Sequence, residues 1–166
     1  MIMTPPIEIA VPRNDVDDDA IKSLMREYAE SLGFSLAYQG FDEEMAGFPG
    51  KYAPPRGALL LARAGGNAAG TVALRPLDGE TCEMKRLYVR PAFRGLRLPD
   101  GRSIGRTLAD EIVAAARARG YRRLRLDTIS GKMQAAVKLY RSMGFVDIAP
   151  YYPSPVPDTA YMELVL

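Results

Sequence analysis

The 166 residues carry a net charge of only +2, with 48% apolar and 25% charged side chains, the balance of a soluble globular chain long enough for one domain with its own core. There is no histidine and a single cysteine, which excludes Ser-His-Asp and Cys-His chemistry, a zinc or iron–sulfur site and any internal disulfide. No stretch is apolar enough to span a bilayer, and the opening MIMTPPIEIAVPRNDVDDD lacks a basic region leading into an apolar one, so a cytoplasmic protein without membrane segment or secretory signal is expected.

In chain order, IEIAVPR (7–13) reads as a short first strand. In VDDDAIKSLMREYAESLGF, Ile21, Leu24, Met25, Tyr28 and Leu32 fall at helical spacing. Asp17 to Asp19 are expected to cap that helix and Gly33 to end it. Residues 38–56 suggest a short helix followed by an irregular loop. GALLLARAGG (57–66) and AAGTVALRPLDG (68–79) read as strands joined at Gly65-Gly66-Asn67, with TCEMKRLYVR (81–90) as a third. Cys82 on that third strand reads as a small buried residue rather than a nucleophile.

Apolar positions Ile104, Leu108, Ile112, Val113 and Ala116 mark a helix that Gly120 closes. RRLRLDT (122–128) alternates as a strand with Leu124 and Leu126 on one side. KMQAAVKLYRSMGF is a further amphipathic helix closed by Gly144, and AYMELVL (160–166) is a last strand. No repeat or linker divides the chain, so residues 1–166 read as one mixed α/β domain around a single sheet.

Charge is unevenly distributed. Residues 1–50 hold three bases against ten acids, whereas residues 85–125 hold twelve bases against three acids. A basic segment in a near-neutral protein points to a local anionic partner, either a phosphorylated small ligand or a nucleic acid, or else to a solvated arginine face. Within it, FRGLRLPDGRSIGRTL joins a strand to a helix start. The amides of a first helical turn and the helix dipole favour phosphate there. Ser103 can cap the helix, Gly105 admits close backbone approach, and Arg94, Arg102 and Arg106 supply charge. It is neither a Walker A loop nor a dinucleotide fingerprint.

Taken together, KRLYVRPAFRG, SIGRTLADEIVAAARARGYRRLRLDT and AAVKLYRSMGF, in that order, resemble the GNAT acyl-CoA N-acyltransferase superfamily over at least residues 57–146. The resemblance implies a single GNAT domain: a mixed, mostly antiparallel sheet whose strands at 81–90 and 122–128 splay apart, flanked by helices. It further implies acetyl-CoA as cosubstrate, no metal, and pantetheine in the gap along the backbone of Leu87, Tyr88 and Val89. The pyrophosphate would sit on amides from Arg102 through Ser103, Ile104, Gly105 and Arg106 to Thr107, with Arg94 beginning the turn. Leu96–Gly101 interrupt the family's phosphate motif, and their Pro-Asp-Gly tip suggests a self-contained excursion.

By the same resemblance, transfer is direct, Glu83 stands at the strand position of a general base, Tyr140 at that of the acid protonating the sulfur, and strand amides near Leu87 polarise the thioester carbonyl. From the residues alone, Glu83 can equally pair with a neighbouring strand's arginine, and Tyr140, spaced helically with Met133 and Val137, can be a core tyrosine. Met133 stands where many relatives have Asn, so one cofactor hydrogen bond is expected to be missing.

Acceptor selection would fall to residues 28–55 and 149–160. Their rings Tyr28, Tyr38, Phe41, Tyr52, Tyr151 and Tyr152, beside Asp42, Glu43 and Glu44, suit a small amine or amino-acid-like acceptor. A silent CoA-binding sensor is the alternative. A nucleic-acid partner is not expected, because no binding motif accompanies the arginines, and a homodimer is the family's default.

Overall fold

The computed structural model describes residues 4–166. Strand β1 (Ile7–Ala10) leads into helix α1 (Asp15–Ser31), a short helix α2 (Phe41–Ala46), and three long strands, β2 (Ala58–Ala64), β3 (Asn67–Pro76) and β4 (Thr81–Val89). Helix α3 (Ile104–Ala118), strand β5 (Arg123–Ile129), helix α4 (Gln134–Ser142) and strands β6 (Val146–Asp147) and β7 (Thr159–Val165) complete the chain. The strands form one sheet in the order β1-β2-β3-β4-β5-β7-β6. Every neighbouring pair is antiparallel except β4 with β5. Among the described residues no helix is long and apolar enough to cross a membrane.

Helices cover both faces, which is why β2 reads as an apolar run from Ala58 to Ala62 rather than an alternation. Leu59 and Leu61 pack with Ile21, Leu24 and Met25 of α1 and with Met45 of α2. Leu60 and Ala62 face the other way, toward Leu108 and Ile112 of α3, a cluster that also buries Cys82, Leu124 and Leu126. Burial raises the Cys82 thiol to about 12, as suits a packing residue.

Two expectations are corrected. Strand β1 stops at Ala10, because Pro12 cannot extend a ladder. Helix α1 is capped by Asn14, not by the aspartates: Asn14 Oδ1 accepts from the Asp17 amide at 3.0 Å. Asp17 is turned back onto the Arg13 amide at 2.9 Å and onto Arg63 of β2 at 2.7 Å, a reciprocal arrangement like a capping box. Gly33, Gly120 and Gly144 do follow their helices at positive φ, 74°, 82° and 99°.

Candidate active site

The parallel pairing of β4 and β5 spans only Thr81–Arg123, Cys82–Leu124 and Glu83–Arg125. Beyond it the strands part. On the other edge of β4, Thr71 faces Tyr88 but Ala73 faces Lys85, so two β4 residues, Arg86 and Leu87, stand against Val72 alone. This bulge places Arg86 at φ 62°, a left-handed conformation that costs a non-glycine residue roughly 1–3 kcal/mol. Its side chain is fully engaged. Arg86 Nε and Nη2 donate to the two Glu44 oxygens at 3.2 and 3.0 Å, Nη1 donates to Gln39 Oε1 at 2.8 Å, and the guanidinium lies 5.3 Å from the Phe41 ring. The parted strands leave a cleft of about 590 Å³ that runs from the start of α3 past α4 to the α1–α2 connection.

At one end, Ser103 caps α3 by accepting from the Arg106 amide at 3.1 Å. Thr107 N donates to the Ser103 carbonyl at 3.0 Å, and Arg102 N donates to Asp100 at 3.0 Å. The expected cradle is therefore narrower than Arg102–Thr107, since three of those amides are already used. Those of Ser103, Ile104 and Gly105 make no such bond among the described residues. A Cβ on Gly105 would meet only Val89, at 3.8 Å, so the fold leaves space on that side and the glycine borders the cleft.

The arginines divide. Arg94 lines the cleft, donates to the Val89 carbonyl at 2.9 Å and has no carboxylate partner among the described residues. Arg106 also lines the cleft but shares Asp110 with Arg102, at 3.0 Å from each. Arg102 turns away from the cleft, drawn by Asp100 at 2.8 Å. Ile104 is buried in the core, and the Thr107 hydroxyl donates to the Ser103 carbonyl at 2.8 Å, so neither side chain faces a ligand. The 96–101 segment folds as a small hairpin, with Leu98 N on the Arg102 carbonyl and an Arg97–Ser103 bridge. It is not self-contained, because Leu96 and Leu98 pack on the core and Asp100 holds Arg102.

Midway, Leu87, Tyr88 and Val89 border the cleft opposite Tyr140 of α4. Tyr140 packs against Phe145 with ring centroids 5.6 Å apart. Its hydroxyl makes no hydrogen bond among the described residues yet is not sealed in, and burial pushes its phenol up. Tyr28, the edge-on neighbour of Tyr88, is raised to about 12 by burial. Met133 precedes α4, lines the cleft and takes the Thr128 hydroxyl on its sulfur at 3.2 Å.

At the far end stands Glu83. It is 1% exposed and lies outside the cleft wall. Arg75, directly across in β3, holds Oε1 at 2.8 Å, and the Tyr151 hydroxyl holds Oε2 at 2.5 Å. The carboxylate that does line the cleft is Asp127 of β5. Its Oδ2 accepts from the Tyr152 hydroxyl and from Gln39 Nε2, and Lys85 Nζ stands 3.9 Å from Oδ1. Lys85 is buried, which lowers its ammonium pKa against the opposing pull of Glu83 and Asp127.

Comparison with known proteins fits this geometry. The profile of the acetyltransferase (GNAT) family matches residues 19–145. The chain belongs to the GNAT acetyltransferase family. This GNAT chain is 42% identical over 160 residues to an uncharacterized N-acetyltransferase of Schizosaccharomyces pombe, covering 95% of this chain and 94% of that one. It is 32% identical to the IAA acetyltransferase of Azospirillum brasilense, over 93% of this chain and 96% of that one. Among solved structures, an acetyltransferase from Streptococcus agalactiae shares the fold with a TM-score of 0.74 at 21% identity, over 96% of this chain and 98% of that one. A Salmonella typhimurium protein solved with its cofactor acetyl-CoA does so with a TM-score of 0.68 at 21% identity, over 96% and 93%.

In this GNAT protein Gln39, Lys85, Arg86 and Asp127 also meet at the cleft, and no local sequence pattern singles the four out together. One signal was available. Asp127 is the one acid of β5, two residues beyond the last β4–β5 pair. The rings divide likewise: Tyr28 and Tyr38 reach the cleft, Tyr151 and Tyr152 hold the two carboxylates, and Phe41 and Glu44 serve Arg86. Tyr52 is buried beneath the sheet with Leu59 and Leu61.

Proposed function

We propose that the protein moves an acetyl group from acetyl-CoA directly to the primary amine of a small molecule. The observation that carries this reading is the single continuous cleft, with free helix-start amides at one end, an unpartnered phenol midway and an accessible carboxylate at the other end. Phosphates would sit on Ile104 and Gly105 with Arg94 and Arg106 beside them, and the acyl arm would run along Leu87 to Val89. The Salmonella neighbour that holds acetyl-CoA and the relatives named N-acetyltransferases support the same cosubstrate and bond.

Asp127, rather than Glu83, takes the proton role. An aliphatic amine of pKa about 10 arrives mostly as ammonium and must shed a proton before its lone pair can attack. Asp127 holds the ammonium and accepts that proton. As the nitrogen bonds to the carbonyl carbon and the C–S bond breaks, the sulfur takes the Tyr140 phenol proton, which solvent restores. The ammonium loses two protons in all and the sulfur gains one, so one proton is released per turnover. Glu83 then acts as a positioning residue, anchoring β4 and Tyr151.

An acceptor screen with acetyl-CoA, following thiol release, tests this. Amine-dependent thiol release is the expected result. Tight CoA binding with no release above buffer hydrolysis for any amine overturns the transferase reading in favour of a CoA sensor.

A further inference from the structure

Of the acid–base pairs that lie where β4 leaves β5 among the described residues, one is open. Arg75 with Glu83 and Arg86 with Glu44 close at 2.8 and 3.0 Å. Lys85 and Asp127 remain 3.9 Å apart, with side chains 4% and 10% exposed. The ammonium has three donors, and among the described residues a single acceptor lies within hydrogen-bond distance, Gln39 Oε1 at 3.1 Å, which Arg86 already shares. On the other partner, Asp127 Oδ2 takes Tyr152 and Gln39, whereas Oδ1 receives no hydrogen bond among the described residues. A buried ammonium short of acceptors beside a carboxylate oxygen short of donors is costly as it stands. A ligand carrying the opposite pair of charges would complete both.

We infer that this end of the cleft is a zwitterion site in which Lys85 takes a carboxylate and Asp127 takes the adjacent ammonium, so that the acceptors are free α-amino acids. This rests on the acetyl-transfer reading above and names its substrate class. The spacing fits: bond lengths in an α-amino acid put nitrogen and carboxylate oxygen roughly 3 Å apart. That dipole lies antiparallel beside the Lys85–Asp127 pair, with each charge facing its opposite. A diamine would satisfy Asp127 and repel Lys85, and a plain carboxylic acid would do the reverse. The remaining charges around Lys85, those of Glu83, Arg75 and Arg86, are committed to one another or to Glu44 and do not alter this balance. The ammonium held on Asp127 is the reacting one, so the product is an N-acetylamino acid. Because burial lowers the Lys85 pKa, the carboxylate anchor is lost as pH rises through a value below the ordinary lysine range.

The test compares each amino acid with the amine made by removing its carboxylate, for example leucine with isopentylamine, in wild-type protein and in Lys85→Met and Lys85→Arg. Initial rates come from thiol release, and equilibrium binding from calorimetry on CoA-saturated protein. The expected result is a preference of roughly 30-fold or more in kcat/KM for amino acid over amine. Lys85→Met should erase it by raising the amino-acid KM while leaving the amine KM in place, and Lys85→Arg should restore part of it. Equal turnover of amine and amino acid by the wild type overturns the zwitterion site and leaves the transferase reading standing. Carboxylate-dependent binding without turnover does the opposite: it keeps the site and overturns the transferase. An equal loss on both substrates in Lys85→Met, with Lys85→Arg no better, marks Lys85 as structural and overturns the proposal.

Discussion

The two ends of the cleft are built in different ways. The α3 end comes from about a dozen consecutive residues and offers backbone amides, a capping serine and a glycine that leaves space. The far end draws Gln39, Lys85, Arg86, Asp127, Tyr151 and Tyr152 from four separate segments and works through buried side-chain charges. At Gly105 the first can be altered with little strain on the core, because an added Cβ would meet Val89 only at 3.8 Å, an ordinary contact distance. The second is part of the core's polar seam, so chemistry and stability are harder to separate there.

The sharpest way to break this contrast is Gly105→Asp. A carboxylate beside the Ile104 and Gly105 amides both blocks and repels phosphate, and acetyl-CoA affinity should fall more than about 100-fold. The melting temperature should hardly move, and calorimetry with a thermal melt reads both. A large loss of stability would mean that the α3 end is as tightly coupled to the core as the other. Asp127→Asn should follow, lowering kcat by roughly 100-fold with acetyl-CoA KM unchanged. Steady-state kinetics in both substrates decides it, and an unchanged kcat would return the proton role to another group.

Tyr140→Phe removes a hydroxyl with no partner among the described residues, so kcat should drop by about 10-fold or more while urea unfolding stays within about 0.5 kcal/mol of wild type. A stability loss without a rate loss would make it only a core tyrosine. Glu83→Gln is the mildest for turnover: less than about 10-fold in kcat, but a stability loss of about 2 kcal/mol from breaking the Arg75 and Tyr151 contacts. If turnover collapsed while the urea midpoint held, Glu83 would be reaching the acceptor after all.

The same contrast explains what could be read from the sequence. Element order, the family and the helix-start site follow from local signals: apolar spacing, glycine stops, and Ser103 with Gly105 at a helix entrance. Arg102 turns from the cleft because Asp100 and Asp110, two and eight residues away, hold it at 2.8 and 3.0 Å. Glu83 went to the Arg75 pair, an option the residues left open, once the β3–β4 register set those two side by side. Asp127 and Lys85 are not legible in the same way, because a strand pattern assigns faces but not which distant loop will cover them. Only the folded chain brings Gln39 and Tyr152 onto the same carboxylate.

The three-residue parallel seam between β4 and β5 has a mechanical meaning. It makes the sheet two leaves bound by a short spine, β1 to β4 on one side and β5, β7 and β6 on the other. An extended molecule lying along the parted strands would act as the missing binding, joining the leaves over the length where the chain does not join them itself. Substrate is then also a brace, and the energy of gripping it is shared between affinity and the rigidity of the whole molecule.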